Sequence, residues 1–194
     1  MTKISSLCVY CGSKMPIDPA FTEAARALGQ QLGEQGIQLV YGGGHVGLMG
    51  ITADATLGAG GQVIGIIPEH LHDIEVSHEN LTELHIVDSM HTRKQMMFER
   101  SDAFIVLPGG LGTLDETFEM ITWRQLQLHD KPIILVNYKN YWQPFLDLME
   151  HMIKAGFVEE HAKSFFQVVE RLEDILPALK HMPDAKLQPD ISKM

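Results

Sequence analysis

This sequence predicts an α/β fold, a doubly wound, Rossmann-like parallel sheet with helices on both faces. Three observations carry that expectation. Short apolar runs of buried-strand length alternate with helical patterns from end to end. No internal linker is long enough to divide the chain, so one domain over residues 1–180 with a loose tail over 181–194 is expected. Two glycine-rich turns, Gly42–Gly47 and Pro108–Gly112, each follow a strand and open a helix. In such sheets ligands bind beyond the carboxyl ends of the strands, where these turns fall.

Taken in order, Ile4–Tyr10 reads as the first strand and runs into Cys11-Gly12-Ser13-Lys14. Asp18 or Pro19 then starts a helix to about Glu34, with Phe21, Ala24, Ala25, Leu28 and Leu32 at helical spacing and Gly36 as its stop. Ile37–Tyr41 is the second strand, followed by the first glycine turn and a helix to about Leu57. Val63–Ile67 is a third strand closed by Pro68, and the polar, aperiodic piece from Glu69 to Asn80 reads as a loop with at most a short helix. Leu81–Val87 is a fourth strand, capped by Asp88 or Ser89 into a helix reaching Arg100. The apolar run Asp102–Leu107 is the fifth strand, and the second glycine turn opens a helix from about Leu111 to Leu128. Lys131–Val136, Tyr141–Ala155, Phe165–Val169 and Leu172–Leu179 read as strand, helix, strand and helix.

With 194 residues, 45% hydrophobic and 21% charged, the chain has the make-up of an ordinary globular protein with a real core. A formal net charge of −10 argues against nucleic acid and anionic membrane as partners, because both require a basic face. An anionic small ligand must therefore be received by local positive features. No leader-like segment and no span-length apolar run is present, so a cytoplasmic location is expected. Cys8 and Cys11 form a C-x-x-C, yet on one strand their odd separation sends them toward opposite faces. No second pair completes a zinc site, and buried strand cysteines are the preferred reading.

The second glycine turn is the most informative stretch. Glycines let the backbone approach a ligand, and the unpaired N–H groups of the first helical turn point at it, so an anion such as phosphate is the natural guest. Glu116 follows within about a turn of that helix start. A carboxylate beside a phosphate cradle is repelled, unless it serves chemistry on the same ligand; the alternative is a tight turn with a surface Glu. Gly42-Gly-Gly-His-Val-Gly47 formally satisfies G-x-G-x-x-G, with Glu69 near the distance of a ribose-binding acid. It follows the second strand rather than the first, and no residues remain for a substrate domain, so a phosphate or backbone-approach role ranks first and a structural turn next. On the helix after the fourth strand, Arg93 and Lys94 share the stripe of Met90, Met97 and Phe98. They either snorkel or supply the cations that an acidic chain needs to hold an anion. Glu116, Glu119 and Thr122 step by three along the next helix. His70, His72 and His78 are read as surface-loop residues rather than metal ligands, and no metal or cofactor is expected.

Four ordered motifs together resemble the LOG (Lonely Guy) family, the cytokinin riboside 5′-monophosphate phosphoribohydrolases, many of which carry an older lysine decarboxylase label. They are Cys11-Gly-Ser13, Tyr41-Gly-Gly-Gly44 with Gly47-Leu-Met-Gly50, Met90-His-x-Arg-Lys94, and Pro108-Gly-Gly-x-Gly-Thr-x-x-Glu116. Ile121-Thr-Trp123 and His129-Asp-Lys-Pro132 match as well, and the resemblance runs from about Ser6 to Leu179. Lys14 stands where a second Ser is common, and Ile74 where plant members carry Arg.

The resemblance implies a Rossmann-like homodimer that hydrolyses the N-glycosidic bond of a purine nucleoside 5′-monophosphate, giving free base and ribose 5-phosphate. It implies Arg93 and Glu116 as the catalytic pair. Ser13, Gly43, Glu75, Arg93, Lys94, Gly109, Gly110, Leu111, Gly112, Thr113, Leu114, Asp115, Glu116 and Thr122 are the expected substrate-binding positions. Breaking a ribosidic C–N bond builds positive charge on the sugar, which a fixed carboxylate can stabilise while it orients or deprotonates water. The nearby helix terminus is expected to favour the ionised form of Glu116. A non-catalytic nucleotide or phosphate-ligand protein on the same fold is the second reading. Lysine decarboxylation is the third, and it lacks a convincing Schiff-base lysine.

Overall fold

The structure, a computed structural model, describes residues 4–72, 78 and 80–181. Seven parallel strands form one sheet: β1 (Ser6–Tyr10), β2 (Gln38–Tyr41), β3 (Val63–Pro68), β4 (Glu83–Val87), β5 (Ala103–Val106), β6 (Ile133–Val136) and β7 (Gln167–Val169). Their order is β4-β3-β2-β1-β5-β6-β7. The chain winds outward from β1 through β2 and β3 to β4, then returns to the other side of β1 with β5. The switch point therefore lies between β1 and β5, whose following connections run to opposite sides of the sheet.

The helices follow the expected positions: α1 (Pro19–Glu34), α2 (Gly47–Gly58), the short α3 (Glu69–His72), α4 (Met90–Glu99), α5 (Leu111–Gln125), α6 (Gln143–Lys154) and α7 (Ile175–His181). Local chemistry sets their starts. Asp18 accepts from the Ala20 N–H at 2.9 Å with Pro19 at the first helical position, and Ser89 accepts from the Thr92 N–H at 3.1 Å. Two apolar clusters cover the two sides of the sheet. One packs Leu7, Val9, Leu39 and Ile105 under Leu28, Leu32 and Ala53; the other packs Cys8, Tyr10, Phe104 and Leu135 under Met97, Met120 and Phe145. Continuous burial along β1, β3, β5 and β6 is what a parallel sheet covered on both sides requires.

The differences from the sequence reading are at element ends. β1 begins at Ser6 rather than Ile4, and β7 is cut to Gln167–Val169 because Glu160–Phe165 forms a 3₁₀ turn. α5 stops at Gln125, three residues early, where Gln127 takes a left-handed φ of 59°. α6 starts at Gln143, after a 3₁₀ turn over Tyr138–Asn140. The expected tail over 181–194 falls, from Met182 on, outside the described residues. Cys8 and Cys11 are free, buried and in opposite clusters, as their spacing required. Burial pushes both thiols well above the ordinary range, which removes them as nucleophiles.

Candidate active site

Three loops leave the carboxyl edge at the switch point, and main-chain hydrogen bonds tie them together. The Leu107 N–H donates to the Tyr10 carbonyl at 2.9 Å, and the Gly12 N–H donates to the Pro108 carbonyl at 3.0 Å. The Gly12 carbonyl in turn accepts from the Leu48 N–H at 2.9 Å, at the start of α2. Backbones this close leave no room for a side chain at Gly109, where a Cβ would overlap the Thr113 hydroxyl. The Tyr141 hydroxyl donates to the Gly109 carbonyl at 2.6 Å and fixes the turn from the far side.

α5 opens at Gly110 without a side-chain cap, and a Cβ at Gly110 or Gly112 would meet nothing within 4 Å. Among the described residues the helix start is thus open, and no side-chain oxygen satisfies its first N–H groups as a cap usually does. Ser13 is exposed on the neighbouring β1 loop, and Leu111 and Gly112 are exposed at the helix start. An anion at this place meets oriented main-chain donors in a molecule that is otherwise acidic.

Glu116 sits one turn further along α5 and is partly buried. Burial raises its carboxyl from an ordinary value near 4.5 to about 7; the Arg93 charge opposes that, Asp115 reinforces it, Lys94 opposes it and Glu119 adds to it. The expectation that the helix terminus would hold Glu116 ionised is therefore outweighed. The field of a helix end fades within the first turn, and Glu116 lies just beyond it. A carboxyl poised near neutrality is what general-base work asks for.

Arg93 does not snorkel. It is 5% exposed, one terminal nitrogen donates to the Gly42 carbonyl at 2.9 Å, and the other lies 3.6 Å from the Met90 sulfur. Among the described residues its buried Nε has no hydrogen-bond partner. Gly42 is required for this seat, since a Cβ there would overlap the guanidinium. Gly43 follows with a φ of +79°, and its carbonyl accepts from the His78 N–H at 3.2 Å. The first glycine turn therefore serves close approach, seating an arginine rather than a dinucleotide.

Lys94 takes a different role from its neighbour. Its ammonium lies 3.2 Å from Asp115 and 3.1 Å from Glu119, bracing α4 against α5. Burial works against its charge, but the Glu119 and Asp115 carboxylates more than compensate and raise its pKa. Thr113 and Leu114 are buried and half-buried, Asp115 is exposed, and Thr122 is exposed nearly two turns beyond Glu116. Glu75 lies outside the described residues.

The structure thus sets Ser13 and the Gly109–Glu116 run at one carboxyl edge with the first glycine turn, which seats Arg93, and ties Lys94 to Asp115. Sequence reading missed Gly42 as the seat of Arg93 and Tyr141 as the brace of the second glycine turn. The G-x-G-x-x-G pattern suggested close approach at Gly42 without identifying Arg93, and Tyr141 sends no signal that spacing can detect.

Fold and site together define a doubly wound α/β protein with an open helix start, a partly buried Glu116 and a buried Arg93 whose charge acts on it. The family described as "Possible lysine decarboxylase" matches residues 49–179. The Rhodococcoides fascians protein named cytokinin riboside 5′-monophosphate phosphoribohydrolase is 42% identical over 176 residues, covering 90% of this chain and 89% of that protein. The rice protein named cytokinin riboside 5′-monophosphate phosphoribohydrolase LOG is 42% identical over 183 residues, covering 91% of this chain and 76% of that one. The molybdenum cofactor binding protein of Rippkaea orientalis shares the fold at a TM-score of 0.68 and 22% identity, covering 93% of this chain and 98% of that one. The chain belongs to the LOG family of phosphoribohydrolases.

Proposed function

We propose that this protein hydrolyses the N-glycosidic bond of purine nucleoside 5′-monophosphates, releasing the free base and ribose 5-phosphate. The names of its relatives supply the reaction, and the observation that carries it to this chain is Glu116, held near neutral pKa one turn past an open helix start. The 5′-phosphate rests on the N–H groups at Gly110–Thr113 with Ser13 alongside, and this anchors the sugar within reach of Glu116. As the C1′–N bond breaks, its electron pair leaves with the purine, and positive charge gathers on the ribose. Ionised Glu116 offsets that charge and takes a proton from the attacking water, whose oxygen bonds to C1′; the departing base takes up a proton in exchange. The charge of Arg93, seated on the Gly42 carbonyl, favours the ionised carboxylate.

Glu75, Gly43, Lys94, Leu114, Asp115 and Thr122 complete the proposed substrate contacts, within a cytoplasmic homodimer that needs no cofactor. No helix among the described residues is long and apolar enough to cross a membrane, and both cysteines are free, in keeping with a reducing compartment. Lysine decarboxylation through a Schiff base fits poorly. That chemistry calls for a lysine that readily loses its proton, and Lys94 is held charged by two carboxylates.

The test is incubation with AMP and with isopentenyladenosine monophosphate, followed by chromatography for free base, with the unphosphorylated ribosides as controls. Base is expected from the monophosphates and far less from the ribosides. If no purine monophosphate yields base, the proposal fails.

A further inference from the structure

Outside the candidate active site, the structure brings together three metal-ligating side chains from segments far apart in sequence. His45 comes from the first glycine turn, Asp54 from the middle of α2, and His78 from the stretch leading to β4. One ligand atom from each lies within 4.8 Å of the other two. The His78 Nε2 is 2.8 Å from an Asp54 carboxylate oxygen, and the His45 ring stands edge-on to the His78 ring with centroids 4.7 Å apart. His78 is 3% exposed, whereas His45 and Asp54 are exposed. The cluster is therefore rooted in the fold on one side and open to water on the other.

We propose that His45, Asp54 and His78 form a binding site for a divalent transition-metal cation of the zinc type. Two imidazoles and a carboxylate suit a borderline-soft cation, and the open side leaves a position for water. Tetrahedral coordination at ordinary zinc distances places ligand atoms about 3.3 Å apart. Here the His78 and Asp54 atoms are 2.8 Å apart and all three ligand atoms lie within 4.8 Å of one another, so rotation of the exposed His45 and Asp54 side chains can bring them to that spacing. The His78 Nδ1 accepts from the Asn80 N–H at 3.2 Å, which puts the ring proton on Nε2, toward Asp54. A cation takes the place of that proton, and the ring proton moves to Nδ1 as the Asn80 amide turns away.

The consequence is mechanical. The His78 N–H already donates to the Gly43 carbonyl, next to the Gly42 carbonyl that seats Arg93. A cation shared by His45, Asp54 and His78 staples His78 onto the first glycine turn and α2. The site differs from the loop histidines that the sequence groups together. It takes His78 from that group and draws its other two ligands from elsewhere.

The experiment uses the full chain stripped with a chelator, titrated with Zn²⁺ by calorimetry and with Co²⁺ by visible absorption, both without substrate. One equivalent per chain is expected, with cobalt d–d bands and a raised Tm. His45→Ala and Asp54→Asn, both at exposed positions, are each expected to weaken binding at least 10-fold. A His70→Ala/His72→Ala double variant is expected to bind as the parent does. Absence of stoichiometric binding by either ion, or binding that survives both His45→Ala and Asp54→Asn, would overturn the proposal. So would binding abolished by the His70/His72 variant. Because nothing here depends on turnover, the result stands apart from the test of the glycosidase reaction.

Discussion

Replacing Glu116 by Gln is expected to make the protein more stable and far less active, and the two effects share one cause. Burial costs the charged form of Glu116 more than Arg93 and Lys94 return, which raises its pKa from about 4.5 to about 7. A displacement of that size corresponds to about 3 kcal/mol of stability, at about 1.4 kcal/mol per decade of proton affinity. The folded state holds the proton more tightly than the unfolded chain, so stability falls as pH rises. Below about pH 4.5 both states are protonated and no cost appears; between there and about pH 7 the cost grows, and above that it is full. Glutamine keeps the shape and removes the charge. Urea titrations of parent and variant are thus expected to coincide near pH 4 and to separate by about 3 kcal/mol at pH 8, with the variant more stable. Turnover of AMP by the variant is expected to drop by roughly 10²–10⁴, the usual worth of a positioned acid–base group. A parent–variant difference that does not change with pH would refute the desolvation argument, and unchanged turnover would remove Glu116 from the chemistry.

The same site yields three further expectations. Removing the Arg93 charge by Arg93→Met takes away the strongest influence that favours ionised Glu116, so the ascending limb of the pH–rate profile should move to higher pH and turnover at pH 7 should fall; a limb that stays in place argues against the coupling. Gly42→Ala puts a methyl group into the space of the Arg93 guanidinium, and a cost of about 1–3 kcal/mol in chemical denaturation is expected together with lost activity. Tyr141→Phe deletes the 2.6 Å hydrogen bond to Gly109, at about 0.5–1.5 kcal/mol. Its main effect should be a higher KM for the phosphorylated substrate, read from initial rates with little change in kcat.

Why Arg93 escaped a firm reading from sequence shows where local information stops. Helical periodicity places it on the stripe of Met90 and Met97, and snorkelling and burial are equally compatible with that position. The choice is made by Gly42, fifty-one residues earlier, whose carbonyl accepts the guanidinium and whose missing side chain makes the space. The G-x-G-x-x-G pattern allowed a backbone-approach role without saying what approaches, because a glycine kept for close approach looks alike whether a phosphate or an arginine approaches. For Glu116 the sequence located the residue one turn past a helix start, but the structure reverses its expected ionic balance. Spacing measures distance from a helix end, whereas desolvation depends on every element packed around the carboxyl.

What this sequence determined by itself was the alternation of strands and helices, hence the parallel sheet, and the two glycine turns, hence the edge that carries the site. Those features are written in nearest-neighbour terms, as hydrophobic period, caps and breakers acting over a few residues. The tertiary structure alone decided that Arg93 is buried, that Lys94 is tied to Asp115 and Glu119, that Glu116 titrates near neutrality, and that His45, Asp54 and His78 meet. Each of these depends on separations of a few ångströms between residues distant in the chain, and no periodicity records such separations.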